Sequence, residues 1–83
     1  MMVEIRYFAG AADAAGTPRT AVDAPPGASV AQVLASAADG NEALGRVLSV
    51  CSVLLDGVVH RDLDVPLPAG AHAIDVLPPF AGG

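Results

Sequence analysis

The 83-residue chain contains no lysine; its cations are Arg6, Arg19, Arg46 and Arg61, set against nine acids for a formal net charge of −5. So few and scattered cations argue against nucleic acid or an anionic membrane as a partner, because both demand clustered positive charge. The acid excess suits a basic protein surface, and it also serves simply to keep a small domain soluble. Without lysine, no side-chain amine of this chain is available to attack an activated carboxyl group, which leaves the N-terminal amine. The one cysteine, Cys51, has no partner for an internal disulfide. Spacings such as Cys-x-x-Cys or His-x-x-x-His are missing, so His60 and His72 lack the third and fourth donors of a metal site, and none is expected. Serine-nucleophile motifs and phosphate-binding glycine loops are missing as well, which leaves an independent hydrolase or nucleotide-binding enzyme without support. No apolar run approaches the ~20 residues of a membrane-spanning helix. The opening "MMVEIRYF" has no basic segment ahead of a long apolar one, so no secretory signal is read there and the cytoplasm is the expected compartment.

What is present fits one small core, since a chain of this length has too little buried surface for two. Hydrophobic residues make up 53% of it, too many for a disordered chain. Residues 3 to 8 alternate as a strand, with Val3, Ile5 and Tyr7 on one face and Glu4, Arg6 and Phe8 on the other. "AGAADAAG" (9 to 16) is small and at best weakly helical. A turn at Gly16-Thr17-Pro18 leads to a second strand over Thr20 to Ala24, ended by "PPG". Ser29 and Gln32 have capping-box spacing, Val30, Val33, Leu34 and Ala37 share one helical face, and Gly40 suits the left-handed position after the last turn. Asn41 is placed to cap a second, shorter helix with Ala43, Leu44, Val47 and Leu48 as its apolar face. Asp56-Gly57 is a tight-hairpin signal between two apolar runs. The segment 62 to 70 holds two prolines and reads as irregular. "HAIDVL" (72 to 77) alternates again, with Ile74 and Val76 inward and Ala73, Asp75 and Leu77 outward. Helices in the middle of a β-rich chain imply an α+β domain whose sheet covers the main helix. Cys51 opens an apolar strand and reads as structural. Asp62, Asp64 and Asp75 read as a solvated rim, because acid–base work needs a cleft that so small a domain has little room for.

The last stretch is "LPPFAGG". Pro78 and Pro79 donate no ladder hydrogen bond and hold extended geometry, so the sheet is expected to let go there and 78 to 83 to protrude as a flexible tail. Gly82 and Gly83 have no Cβ, which suits them to a channel too narrow for other residues. A terminal carboxylate able to enter such a channel can be adenylated and then captured by a sulfur nucleophile as a thiocarboxylate.

Together, "IRYFAGAADAAG", "LLDGVV" and "LPPFAGG" resemble the small subunits of molybdopterin synthase, members of the ubiquitin-like sulfur-carrier family, over essentially the whole chain. The resemblance implies a β-grasp fold with the first and last strands side by side in the sheet centre. It implies an adenylating partner of the ubiquitin-activating type that uses ATP and Mg²⁺ on Gly83, and a persulfide donor that makes the thiocarboxylate. It also implies a large subunit at which sulfur passes to a cyclic pyranopterin precursor, forming the dithiolene. No permanently bound cofactor is implied, and the chain alone is not a catalyst. Phe8, Val59, Leu77, Phe80 and Ala81 are the implied docking residues beside Gly82 and Gly83. Carriers for thiamine or cysteine synthesis, and ubiquitin-like modifiers, share the fold and the ending and stand as alternatives.

Overall fold

A computed structural model describes residues 1–79. Five strands, β1 (Met2–Tyr7), β2 (Arg19–Asp23), β3 (Ser52–Leu55), β4 (Val58–Val59) and β5 (His72–Leu77), form one sheet in the order β2-β1-β5-β3-β4. Three helices, α1 (Gly10–Ala15), α2 (Val30–Ala37) and α3 (Glu42–Leu48), complete the described elements. β1 and β5 run parallel at the centre, with Ile5 opposite Ile74; the other pairings, β1 with β2, β3 with β5 and β3 with β4, are antiparallel.

The alternation seen in the sequence is what buries one face of this sheet. Val3, Ile5, Tyr7, Val53, Ile74 and Val76 are all inward and at most 4% exposed. They meet Val30, Val33 and Leu34 of α2, Leu44 of α3 and Ala11 of α1 in one continuous core. Val30, Val33 and Leu34 recur at helical spacing, so a single stripe of α2 turns to the sheet. Ala43, expected on the apolar face of α3, is instead exposed; Leu44 alone is fully buried there, with Val47 and Leu48 half-buried.

Caps fix where α2 and α3 begin. The Gln32 amide donates to Ser29 Oγ (3.2 Å) and the Ser29 amide donates to Gln32 Oε1 (2.9 Å), closing the capping box. Ser29→Ala is expected to cost about 1 kcal/mol, the usual worth of such a cap, read as a shift of the urea midpoint with the slope unchanged. Asn41 does two jobs: its Oδ1 accepts from the Leu44 amide (3.1 Å) and its Nδ2 donates to the Ala14 carbonyl (2.9 Å), tying the start of α3 to the end of α1.

That tie helps explain a departure from the sequence reading. Residues 10–15 are a helix, although six residues are far too few to be stable alone. Burial of Ala11, the contact of Asn41 and the left-handed Gly16, whose amide donates to the Ala12 carbonyl, supply what local propensity does not. The second strand lies one residue earlier than expected, at Arg19–Asp23. Asp56 and Gly57 both take positive φ, 50° and 85°, as a two-residue type I′ hairpin requires. The stretch 62–70 has no strand or helix but is pinned at two points, where the Leu67 amide donates to Ala28 and the Ala31 amide to Leu63.

Candidate functional site

The sheet's second face carries Glu4, Arg6, Ala73, Asp75, Leu54 and Val59, by the two-residue period of the paired strands. It is the face opposite the helices, and no described helix lies over it. β5 delivers its last strand residue, Leu77, opposite Ser52 of β3. Phe8 follows directly after β1, with its amide donating to the Val76 carbonyl (3.2 Å), so Phe8 and Leu77 stand side by side where the central strands end. Phe8 is 44% exposed. Pro78 and Pro79 then leave the ladder.

Val59 lies on the same face but two strands away, and its cross-strand partner is Leu54. Leu54 faces Asp75 directly and Leu77 on the diagonal, so it connects Val59 to the Phe8–Leu77 pair. The sequence reading omitted Leu54; the alternation of "SVLL" about a buried Val53 was the signal that it faces outward. The resulting strip is bordered by an ion pair: Arg6 Nη2 and Nε donate to the two oxygens of Asp75 at 3.0 and 2.5 Å. Asp75 is therefore committed to a cross-strand contact. Phe80, Ala81, Gly82 and Gly83 lie outside the described residues.

Cys51 sits just ahead of β3 with Sγ 3.1 Å from the Val47 carbonyl, and burial raises its pKa, which holds it as a thiol. His60 and Cys51 line one shallow cavity of about 330 Å³ with Val59 and Leu63. His72 is engaged elsewhere: Nδ1 lies 2.7 Å from Asp56 Oδ2 and Nε2 lies 2.7 Å from the Pro68 carbonyl. Among the described residues no three His, Cys, Asp or Glu side chains gather as metal ligands, and no helix is long and apolar enough to cross a membrane.

The His72 geometry sets a pH dependence. Both ring nitrogens face acceptors, so only the doubly protonated ring can donate to both. The hydrogen bond to Asp56, then that to Pro68, raises the His72 pKa; the same hydrogen bond, then the one from the Ala73 amide, lowers that of Asp56. The His72 contribution is thus complete below its unfolded value of about 6.5 and is lost as pH climbs through its raised folded value. Asp56 contributes above its unfolded value of about 4 and loses this as pH falls through its lowered one. Melting temperature is expected to decline as pH rises above ~6.5, with His72→Gln flattening that decline. A wild-type slope retained in the variant would remove His72 as its source.

A mixed sheet with parallel central strands, helices on one face, and a last strand that ends beside a partly exposed apolar strip is a ubiquitin-like β-grasp fold, and the family match puts the chain in the sulfur-carrier class of that fold. The chain belongs to the ThiS family, whose sequence pattern matches residues 5–83. No curated protein matches the sequence, but solved structures do. SAMP1 from Haloferax volcanii is 27% identical over 100% of both chains, with a TM-score of 0.84. The small archaeal modifier protein 1 of Methanosarcina acetivorans is 26% identical over 99% of this chain and 96% of its own, with a TM-score of 0.80. A chain in the complex of subunits 1 and 2 of the molybdopterin-converting factor of Helicobacter pylori 26695 is 29% identical over 100% of both, with a TM-score of 0.69.

Proposed function

We propose that this carrier is the sulfur-donating small subunit of a molybdopterin synthase working in the cytoplasm. The observation that carries the proposal is the placement of the exposed Phe8 beside the half-buried Leu77, an apolar pair at the root of the segment that ends in Gly82-Gly83. A large subunit docking there receives the terminal residues next to its contact surface. In the cycle proposed, an adenylating enzyme joins the Gly83 carboxylate to AMP with release of pyrophosphate, using ATP and Mg²⁺. The terminal sulfur of a persulfide donor then displaces AMP to give an acyl disulfide, and a second thiol cleaves its S–S bond, forming a disulfide with the donor sulfur and releasing the Gly83 thiocarboxylate. In the large subunit the thiocarboxylate gives its sulfur to a cyclic pyranopterin precursor, and uptake of water returns Gly83 to the carboxylate. Phe8, Leu77 and Val59 dock, with Phe80 and Ala81 along the entering segment. The likeness to a chain from a two-subunit molybdopterin-converting complex supports this acceptor over thiamine or cysteine precursors.

The likeness to SAMP1 favours a second reading, in which the terminal carboxyl is joined to other proteins. Intact mass separates the two: a thiocarboxylate adds about 16 Da to the free chain, whereas a modifier is recovered in isopeptide linkage to target lysines. Co-purification of a pterin-binding large subunit supports the first reading. For that complex, Phe8→Ala is expected to weaken binding by ~1 kcal/mol or more while the isolated fold survives. Titration calorimetry giving unchanged affinity would remove Phe8 from the interface.

A further inference from the structure

The edge of the sheet opposite β4 is β2, and among the described residues no strand pairs with its other side. The Tyr7 amide donates to the Pro18 carbonyl (2.9 Å) and the Ala24 amide to the Met1 carbonyl (2.8 Å). These pairs flank the register that matches Arg6 with Arg19 and Met2 with Asp23. In an antiparallel ladder the hydrogen-bonded pairs recur every second residue. Thr20 and Val22 therefore address β1, while Arg19, Ala21 and Asp23 turn their amides and carbonyls away from the sheet; the Arg19 carbonyl accepts from the Thr17 hydroxyl (3.1 Å) and keeps its second lone pair for a further donor. Such an edge is a template for another strand unless proline, a bulge or inward charge blocks it. "RTAVD" has no proline, its five-residue register is unbroken, and its centre is the small, exposed Ala21.

We infer that β2 is a self-complementary edge through which two copies of this chain pair antiparallel, about a two-fold axis at Ala21. In that register Ala21 faces Ala21, Thr20 faces Val22, and Arg19 of each copy faces Asp23 of the other. Both ion pairs fall on the sheet face that carries Arg19, Ala21 and Asp23. In-register parallel pairing sets Arg19 beside Arg19 and Asp23 beside Asp23, and an antiparallel slip of two residues separates the opposite charges, so charge selects one arrangement. Asp23 is 81% exposed although its Oδ1 lies 3.3 Å from the Met1 amine, and Arg19 has no ion partner among the described residues. On the inner face a groove of about 170 Å³, lined by Val22, Ala24, Pro25, Ala28 and Val33 among others, lies beside this edge. The same register sets Pro18 of the second copy opposite Ala24, at that groove. The result is a continuous ten-stranded sheet.

Five residues a side make a small interface, below the size of stable dimers, and the expected dissociation constant is on the order of 1 mM. The test is sedimentation equilibrium of the full chain from ~20 µM to ~2 mM, with amide exchange of Ala21 and Asp23 followed at both ends of that range. Association with slowed exchange at those two amides supports the pairing. Arg19→Asp alone and Asp23→Arg alone are each expected to weaken it ~10-fold or more, and the double exchange to restore it to within about threefold of wild type. Ala21→Pro, which removes an outward amide at an edge where proline is tolerated, is expected to abolish it with the far-ultraviolet spectrum retained. A monomer throughout the range, a dimer indifferent to Arg19→Asp, or a double exchange that fails to rescue overturns the inference.

Discussion

Deleting Gly83, or adding one residue after it, is expected to abolish thiocarboxylate formation and sulfur transfer while leaving the melting temperature within about a degree of wild type. The chemistry proposed uses a main-chain carboxyl, so its position along the segment matters as much as its presence. An extra residue moves the reactive carbon by about 3.5 Å, and a misplacement of even 1 Å in a catalytic site can cost ~100-fold in rate. Stability should not follow activity, because the buried residues described run from Val3 to Val76 and the sheet ends at Leu77. Mass spectrometry after incubation with the activating enzyme, ATP and a persulfide donor reads the first quantity, and calorimetry the second. An extended chain that still gains sulfur would refute the assignment of Gly83. Cys51→Ser is the companion control, and retention of transfer is expected there because the thiol sits against Val47 with its pKa raised by burial.

Ile74→Ala should have the opposite profile, a collapse of stability with no group of the proposed chemistry touched. Ile74 is fully buried at the middle of β5, between Ile5 of the parallel neighbour and Leu55 of the antiparallel one. Truncating such a residue removes its transfer energy and leaves a cavity, at a combined cost of about 2–5 kcal/mol. Small domains sit near the lower end of the ~5–15 kcal/mol that folded proteins command, so the variant should be largely unfolded or nearly so at 37 °C. Urea denaturation beside Val59→Ala, an exposed position where a change within about 0.5 kcal/mol is expected, checks it. A loss below ~1 kcal/mol for Ile74→Ala would mean that the centre of the core lies elsewhere.

Much of this architecture was legible residue by residue. Alternation in "VEIRYF" and "HAIDVL" marked the inward faces of β1 and β5, and Ser29, Gln32 and Asn41 marked where α2 and α3 begin. Asp56-Gly57 marked the hairpin, because a two-residue turn with two positive φ angles admits few residue types. The helix at 10–15 was not legible, since alanine and glycine carry no periodic signal and the support comes from Asn41, 27 residues away from Ala14. Leu54 was missed as a member of the docking strip for a related reason. Its outward phase could be read, but its position between Val59 and Leu77 depends on which strands are neighbours.

The sequence by itself determined the faces, the caps, the tight turn and a terminal segment free of bulky side chains at its last two positions, because each of these is set by residues within a few positions of one another. Tertiary structure alone decided which faces meet. The parallel contact of β1 with β5 joins residues about 70 positions apart, and that contact brings Arg6 to Asp75 and Phe8 to Leu77. His72 likewise reaches Asp56 and Pro68 only through pairing of β5 with β3. A period of two tells a strand which side to bury and nothing about its neighbour; that choice belongs to the packing of the whole core.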